Sequence, residues 1–484
     1  MDARVGKEST NEWCAGECVG ENGSKKAVPI QLTIRQRLAL LLGSAESLRG
    51  RLIRGGIGSL GVKLVGTLLG LVTSVLLARS LGPDGYGVYA YIFAMISLLA
   101  IPSQVGLPSL LVRETAKAHA QGKWGLMRGL WRWSSTVTGV MALVLALLAL
   151  TIGWFYQEKF SQTQIATFAW GLALVPLVAL GNLRGGALRG LRKVVAGQLP
   201  EVVLRPGLFV LSLLAVMLLL PEGTLTASTA MALHVMAAAL AFLAGAMLLW
   251  RARPPQLAAH PLPVYRAREW FGSALPLAFV SGMMLINQQT DILLLGLFRS
   301  AEEVGVYRVA VSVATVVAFG LQAITMVVSP HFARLYAQGD LKQLQRVVTQ
   351  SARLILLLAL PVVFLVIVLG ERLLSEVFGA DYASAYLPLV ILALGQLVNS
   401  AAGSVAALLN MTGHERDTAR GVAIAAGLNM LINVLLIPSF GTLGAAAGTA
   451  FSMTVWNVVL WHSVRQRIGI DSMAFKFKAF QKVQ

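Results

Sequence analysis

From residue 58 to residue 464 the chain alternates long apolar runs with short polar breaks. Twelve runs fall at about 58–78, 86–108, 133–154, 164–183, 194–220, 226–250, 271–297, 304–328, 354–370, 386–409, 421–438 and 443–464. Most have roughly the 20 residues that a helix needs to cross a 30 Å hydrocarbon core. The pattern predicts an all-α polytopic membrane protein with about 12 transmembrane helices. The run Ile286 to Tyr307, INQQTDILLLGLFRSAEEVGVY, also matches Leu76 to Tyr89, LLARSLGPDGYGVY, 218 positions earlier. Leu76-Leu77 corresponds to Leu294-Leu295, Asp84 to Glu302, and Gly87-Val88-Tyr89 to Gly305-Val306-Tyr307. Two related six-helix bundles around a central cavity are expected. With an even number of helices per half, their pseudo-twofold axis runs along the membrane normal.

The expected organisation is a disordered tail at 1–29, an amphipathic basic interfacial segment at 30–56, one bundle at 57–250, a cytoplasmic linker at 251–270, a second bundle at 271–464 and a basic cytoplasmic tail at 465–484. Composition agrees: 56% of residues are hydrophobic and only 13% charged, and mean hydropathy is +0.71. That is too little charge to cover a soluble globule of 484 residues. The formal charge of +18 does not point to nucleic acid, because the cations lie in short runs between apolar segments, as polytopic membrane proteins place them. With the N-terminus inside, 33 of the 40 Lys and Arg fall in cytoplasmic segments. Four fall outside (Arg79, Lys159, Arg299, Arg372) and three within helices (Lys63, Arg205, Arg308). This bias predicts cytoplasmic termini. No signal peptide is read in the polar stretch Met1 to Pro29. Cys14 and Cys18, in CAGEC, have too few companions for a zinc framework and receive no role.

A charge in hydrocarbon costs roughly 2.5–3.5 kcal/mol on insertion scales, so each one inside a helix is a functional candidate. Arg205 is about eleven residues into its helix, near the midplane at about 1.5 Å per residue. Glu201 lies one turn before it, between Pro200 and Pro206 in LPEVVLRP. Two readings stand: a self-neutralising i,i+4 pair, or a locally opened helix that turns a guanidinium fork toward a wet cavity, where it suits a phosphate. Asp291 lies about 10 Å deep on a stripe with Asn287 and beside Gln288; the equivalent position in the first half is Thr73. Asp291 is read as serving ion or proton coupling, or as a counter-ion to a basic cavity. Lys63 is divided between membrane anchor and cavity lining, and Arg308 is read as snorkelling. Asn429 with Asn433, and Gly444 with Gly448, read as helix packing. Internal prolines (Pro102, Pro176, Pro206, Pro276, Pro361, Pro388) favour a transporter over a static anchor.

The outer loops are short and hold neither His nor Cys, and no G-x-x-x-x-G-K loop is present. The chain is therefore read as a non-enzyme, with no metal and no cofactor; Na+ or H+ coupling is left open. The runs at 78–90, 290–310, SPHFARLYAQGD at 329–340, 377–397 and LNMLINVLLIPSFGTLGAAAGTA at 428–450 resemble the polysaccharide-export branch of the multidrug/oligosaccharidyl-lipid/polysaccharide exporter superfamily. That group includes O-antigen and other lipid-linked oligosaccharide flippases, and the likeness covers most of the chain after residue 55.

The resemblance implies a flippase of the bacterial cytoplasmic membrane. It would move an undecaprenyl-pyrophosphate-linked oligosaccharide outward by alternating access for surface polysaccharide or lipopolysaccharide, alongside partners in polymerisation and export. Arg205 and Lys63 would then serve the pyrophosphate, and Asn287 and Gln288 the sugar hydroxyls. Asp291 and Glu201 would act as coupling or counter-ion groups. Two alternatives remain: a cation-coupled drug antiporter of the same superfamily, and a membrane glycan-modifying enzyme.

Overall fold

The structure is a computed structural model and describes residues 48–219, 221, 225–259 and 262–474. The tail expected at 1–29, most of the interfacial segment at 30–56 and the last ten residues lie outside the described residues, as do Cys14 and Cys18. By its contacts the chain divides into residues 1–54 and 55–484, and the helical stretches able to cross a membrane all fall in the second unit.

The described helices are α1 (Leu48–Gln104), α2 (Leu107–Ala120), α3 (Trp124–Phe155), α4 (Gln162–Leu172), α5 (Leu174–Gly190), α6 (Val194–Leu199), α7 (Arg205–Leu219), α8 (Ala227–Ala252), α9 (Pro255–Ala258), α10 (Ala267–Phe298), α11 (Ala301–Ala337), α12 (Leu341–Val377), α13 (Tyr386–Ala402), α14 (Val405–Met411) and α15 (Glu415–Ile468). No strand occurs among the described residues. Ten helical stretches are long and apolar enough to cross a membrane. Two of these are double: α1 bends at Gly82 (φ 67°, ψ 177°) and α15 at Gly441 (φ 53°, ψ −128°). Both conformations need a residue without Cβ. Counting each as a pair restores twelve crossings in two bundles. At the first bend Pro83 follows at once, where a helix start has no use for its missing N–H.

The two bundles meet through the repeated segment itself. A methyl group on Gly87 would run into the carbonyl of Ala301, and one on Gly305 into the carbonyl of Pro83. Pro83 and Ala301 are themselves counterparts in the repeat. The contact is thus reciprocal, as a twofold axis between the halves requires. Around it one hydrophobic core draws on both halves, including Leu77, Tyr86 and Tyr89 from the first and Ile292, Tyr307 and Tyr382 from the second. Arg79 donates to the carbonyls of Val377 (2.8 Å) and Glu376, at the end of α12 where helix carbonyls lack partners. Arg299 does the same for Ile437 (3.1 Å) and Pro438 (2.9 Å). Two of the four cations expected outside the membrane therefore cap helix ends.

Of the six prolines expected to break helices, Pro102, Pro276 and Pro361 are interior. Pro176, Pro206 and Pro388 follow directly on another helical turn within the stretches Gln162–Gly190, Val194–Leu219 and Ala380–Met411, and Pro206 comes just after the π turn of Pro200–Leu204, where the helix makes room for a residue without an N–H.

Candidate functional site

Asp291 is buried, with 6% of its surface exposed, and is held by three donors from three other helical segments. Tyr307 Oη donates to Oδ2 at 2.9 Å, Thr449 Oγ1 donates to the same oxygen, and Asn433 Nδ2 donates to Oδ1 at 2.7 Å. Asn433 Nδ2 also reaches Asn429 Oδ1 at 3.2 Å, and Asn429 donates to Ser452 at 3.3 Å. Gly448 makes room: a methyl there would collide with Asn433 Oδ1. That oxygen is buried and has no hydrogen-bond partner.

The network joins α10, α11 and both arms of α15. No Lys or Arg is among these donors to Asp291, so dipoles alone face a carboxylate that desolvation makes costly. The site offers oxygen donors and a single negative charge. Among the described residues no group of three or more His, Cys, Asp or Glu is assembled for a metal ion. Asn429 and Asn433, read from the sequence as packing residues, do bridge helices, but they also belong to this carboxylate's shell. Asn287, expected to share it, is not one of the donors. Its Oδ1 is buried without a partner, as is Oε1 of Gln289, a residue that its sequence context did not single out. Gln288 is exposed.

The second cluster lies in the first bundle. Between α6 and α7 the helix widens into a π turn over Pro200–Leu204, the kind of local opening that LPEVVLRP suggested and that often marks a functional position. Arg205 pairs with Glu201 at 3.4 Å. The Glu201 carboxylate is turned toward Gly181, where even a methyl would displace it, and shares a gap of about 10 Å³ with Arg184 and Phe242. Arg184 donates to the Phe242 carbonyl at 2.7 Å, and its guanidinium lies 3.2 Å from the centre of that ring. In the cation count Arg184 fell among the cytoplasmic loop residues 184–193; it belongs instead to α5 and points inward. Two guanidiniums thus flank one carboxylate.

Lys63 is exposed on the first arm of α1, which packs along α6 and α7: Ser59 Oγ donates to Gln198 Oε1 at 2.8 Å, and a methyl on Gly66 would meet Val202. A further cluster has no signature in the sequence. Tyr89 Oη lies 2.7 Å from His234 Nδ1, with both rings stacked on Phe209.

Over most of its length the chain is 24% identical to the probable low-salt glycan biosynthesis flippase Agl15 of Haloferax volcanii, covering 81% of this chain and 79% of that protein. It is 24% identical to the probable flippase AglR of the same organism, over 84% and 82%. Among solved structures, an inward-facing multidrug resistance MATE-family transporter of the MOP superfamily superposes with a TM-score of 0.66 at 13% identity, covering 86% of this chain and 98% of that one. Lipid II flippase MurJ, in an inward closed conformation, gives 0.65 at 14% identity, over 84% and 86%. At such identities the structural likeness establishes the fold. Residues 276–435 match the MatE family. Residues 52–336, more than half of the chain, match the polysaccharide biosynthesis protein family, and the chain belongs to that family.

Proposed function

We propose that this protein is a flippase that carries a polyprenyl-pyrophosphate-linked oligosaccharide from the inner to the outer leaflet of the cytoplasmic membrane. In this reading the bundles rock about the contact at Gly87 and Gly305, and both termini are cytoplasmic. The observation that carries the reading is the charge of the Arg184–Glu201–Arg205 cluster. Arg205 pairs with Glu201 and Arg184 lines the same gap, two guanidiniums to one carboxylate in the first bundle, an excess suited to a doubly charged pyrophosphate. A cation-exporting relative would want the opposite sign there. The flippase names of two relatives point the same way, and a transporter needs no catalytic group.

Arg205 and Lys63 take the pyrophosphate in this scheme, and Asn287 and Gln288 the sugar hydroxyls. Asp291, with the free Oδ1 of Asn433 and the hydroxyl of Thr449, binds the coupling ion, Na+ or H+. Glu201 serves as the counter-ion that Arg205 exchanges for substrate. Arg205→Ala and Asp291→Ala should each leave the protein inserted while surface polysaccharide stops forming and the lipid-linked intermediate accumulates at the inner leaflet. Export at the parental rate by both variants would overturn the scheme.

A further inference from the structure

A cavity of about 1020 Å³ lies in the first bundle between α3, α5, α8 and the segment after α8. Arg128, Arg132, Arg184 and Arg253 line it together with Trp250 and Tyr265, and among the described residues its lining includes no acidic side chain. Part of its wall comes from the connection between the bundles. Val264 N–H donates to the Gly125 carbonyl at 3.0 Å, and a methyl on Gly129 would run into the Val264 carbonyl. The connection is therefore laid against α3 beside the cavity.

The second bundle shows what this place does when it is filled. There the segment after the last helix folds back over α12 and α13. Ala474 N–H donates to the Ala401 carbonyl at 3.0 Å, and Arg353 Nε donates to the Ala474 carbonyl at 3.1 Å. Gln345 exchanges bonds with the backbone of Asp471 at 2.6 and 2.7 Å. At the 218-residue offset, Arg353 corresponds to Ser135 and Ala401 to Leu183, and both of these line the cavity of the first bundle. One half thus covers this position with its own acceptor groups, whereas the other leaves a space walled by arginines.

We infer that this cavity is a binding site for the phosphodiester headgroup of an anionic membrane phospholipid, adjoining the Arg184–Glu201–Arg205 cluster through their shared Arg184. The occupant is a lipid because two exposed apolar stripes begin at the cavity. Val140, Leu143 and Leu147 continue from Arg132 along α3, and Met247, Leu243 and Leu240 continue from Arg253 along α8. Acyl chains lie on these stripes while the phosphate meets Arg132 and Arg253, from which the stripes start. Trp250 and Tyr265 line the cavity and are residue types enriched at membrane interfaces, and basic pockets between transmembrane helices suit such headgroups. The volume exceeds what a lone phosphate fills and accommodates a glycerophosphate headgroup. Because the connection between the bundles forms one wall, an occupied site holds it to the first bundle. The leaflet, cytoplasmic, rests on the orientation proposed above; the binding does not.

The test is native mass spectrometry of the delipidated full-length protein titrated with phosphatidylglycerol, phosphatidylcholine or inorganic phosphate, with no glycan-lipid present. One phosphatidylglycerol should bind well ahead of the rest, and R132Q/R253Q should weaken it roughly tenfold or more. R132K/R253K keeps both charges and should stay within about threefold of the parent. Equal binding of phosphatidylcholine, unchanged binding by R132Q/R253Q, or loss in the lysine variant as complete as in the glutamine one would overturn the inference. Displacement of the lipid by millimolar phosphate would assign the site to a soluble anion and overturn it too. Phosphatidylglycerol binding that persists in a protein shown not to move glycan-lipid would remove the flippase reading and leave this site standing.

Discussion

At the scale of single residues, Asp291 is a buried carboxylate of the second bundle. Its oxygens take three hydrogen bonds from uncharged side chains, so the question is what balances its charge during transport. Asp291→Asn keeps the volume and removes the charge, while its amide N–H groups face donors instead of acceptors. In proteoliposomes with an imposed Na+ or proton gradient, the parent's transport should rise with one gradient, and D291N should transport slowly and without gradient dependence. A parental gradient response in D291N would exclude this carboxylate as the coupling site. Thr449→Val removes one donor and leaves the charge. The expected cost is about 1 kcal/mol of stability, read as a lower melting temperature, with a gradient response that is weakened but not abolished.

Asp291 was legible in the sequence because a carboxylate inside an apolar run has few reasons to be there. Tyr307 and Thr449 were not, since each is an ordinary polar residue on its own helix and becomes a partner only through packing. Arg184 was hidden differently. It stands next to a cluster of true loop cations, Arg192 and Lys193, and only the extent of α5 shows it to be inside.

At the scale of elements, the repeat spaced by 218 residues was readable from residue identities alone, and the reciprocal Gly87–Gly305 contact explains why those glycines recur. The clashing partners are backbone carbonyls of the opposite bundle, which no rotamer change can move. Gly87→Ala and Gly305→Ala should each cost about 1–3 kcal/mol and lower the melting temperature of the purified protein. Gly70→Ala, where a methyl meets nothing within 4 Å, should leave it unchanged or slightly raised. Equal melting temperatures in all three would mean that the bundles are not held together here. The hydropathy pattern correctly counted the crossings but not their continuity. Gly82 and Gly441 turn the chain so tightly that each helical hairpin runs on with a single non-helical residue.

For the whole molecule, the asymmetry between the ends of the bundles matters most. The end with the Gly87–Gly305 contact is closed by carbonyl capping from Arg79, by Tyr382 Oη donating to the Ala78 carbonyl at 3.1 Å, and by Ser74 Oγ donating to Ser312 Oγ at 3.1 Å. If substrate leaves by alternating access, the groups at this end must part, and the serine pair offers a way to forbid it. Two side-chain atoms that close place a cysteine pair within reach of disulfide geometry. With the native Cys14 and Cys18 replaced by serine, S74C/S312C should cross-link on oxidation and lose transport in proteoliposomes. Reduction should restore it, and either single cysteine should transport at the parental rate. Loss on oxidation and recovery on reduction would tie transport to separation of α1 from α11. Full transport by the cross-linked protein would instead mean that this seal never opens, and the substrate would have to pass along the outside of the bundles rather than between them.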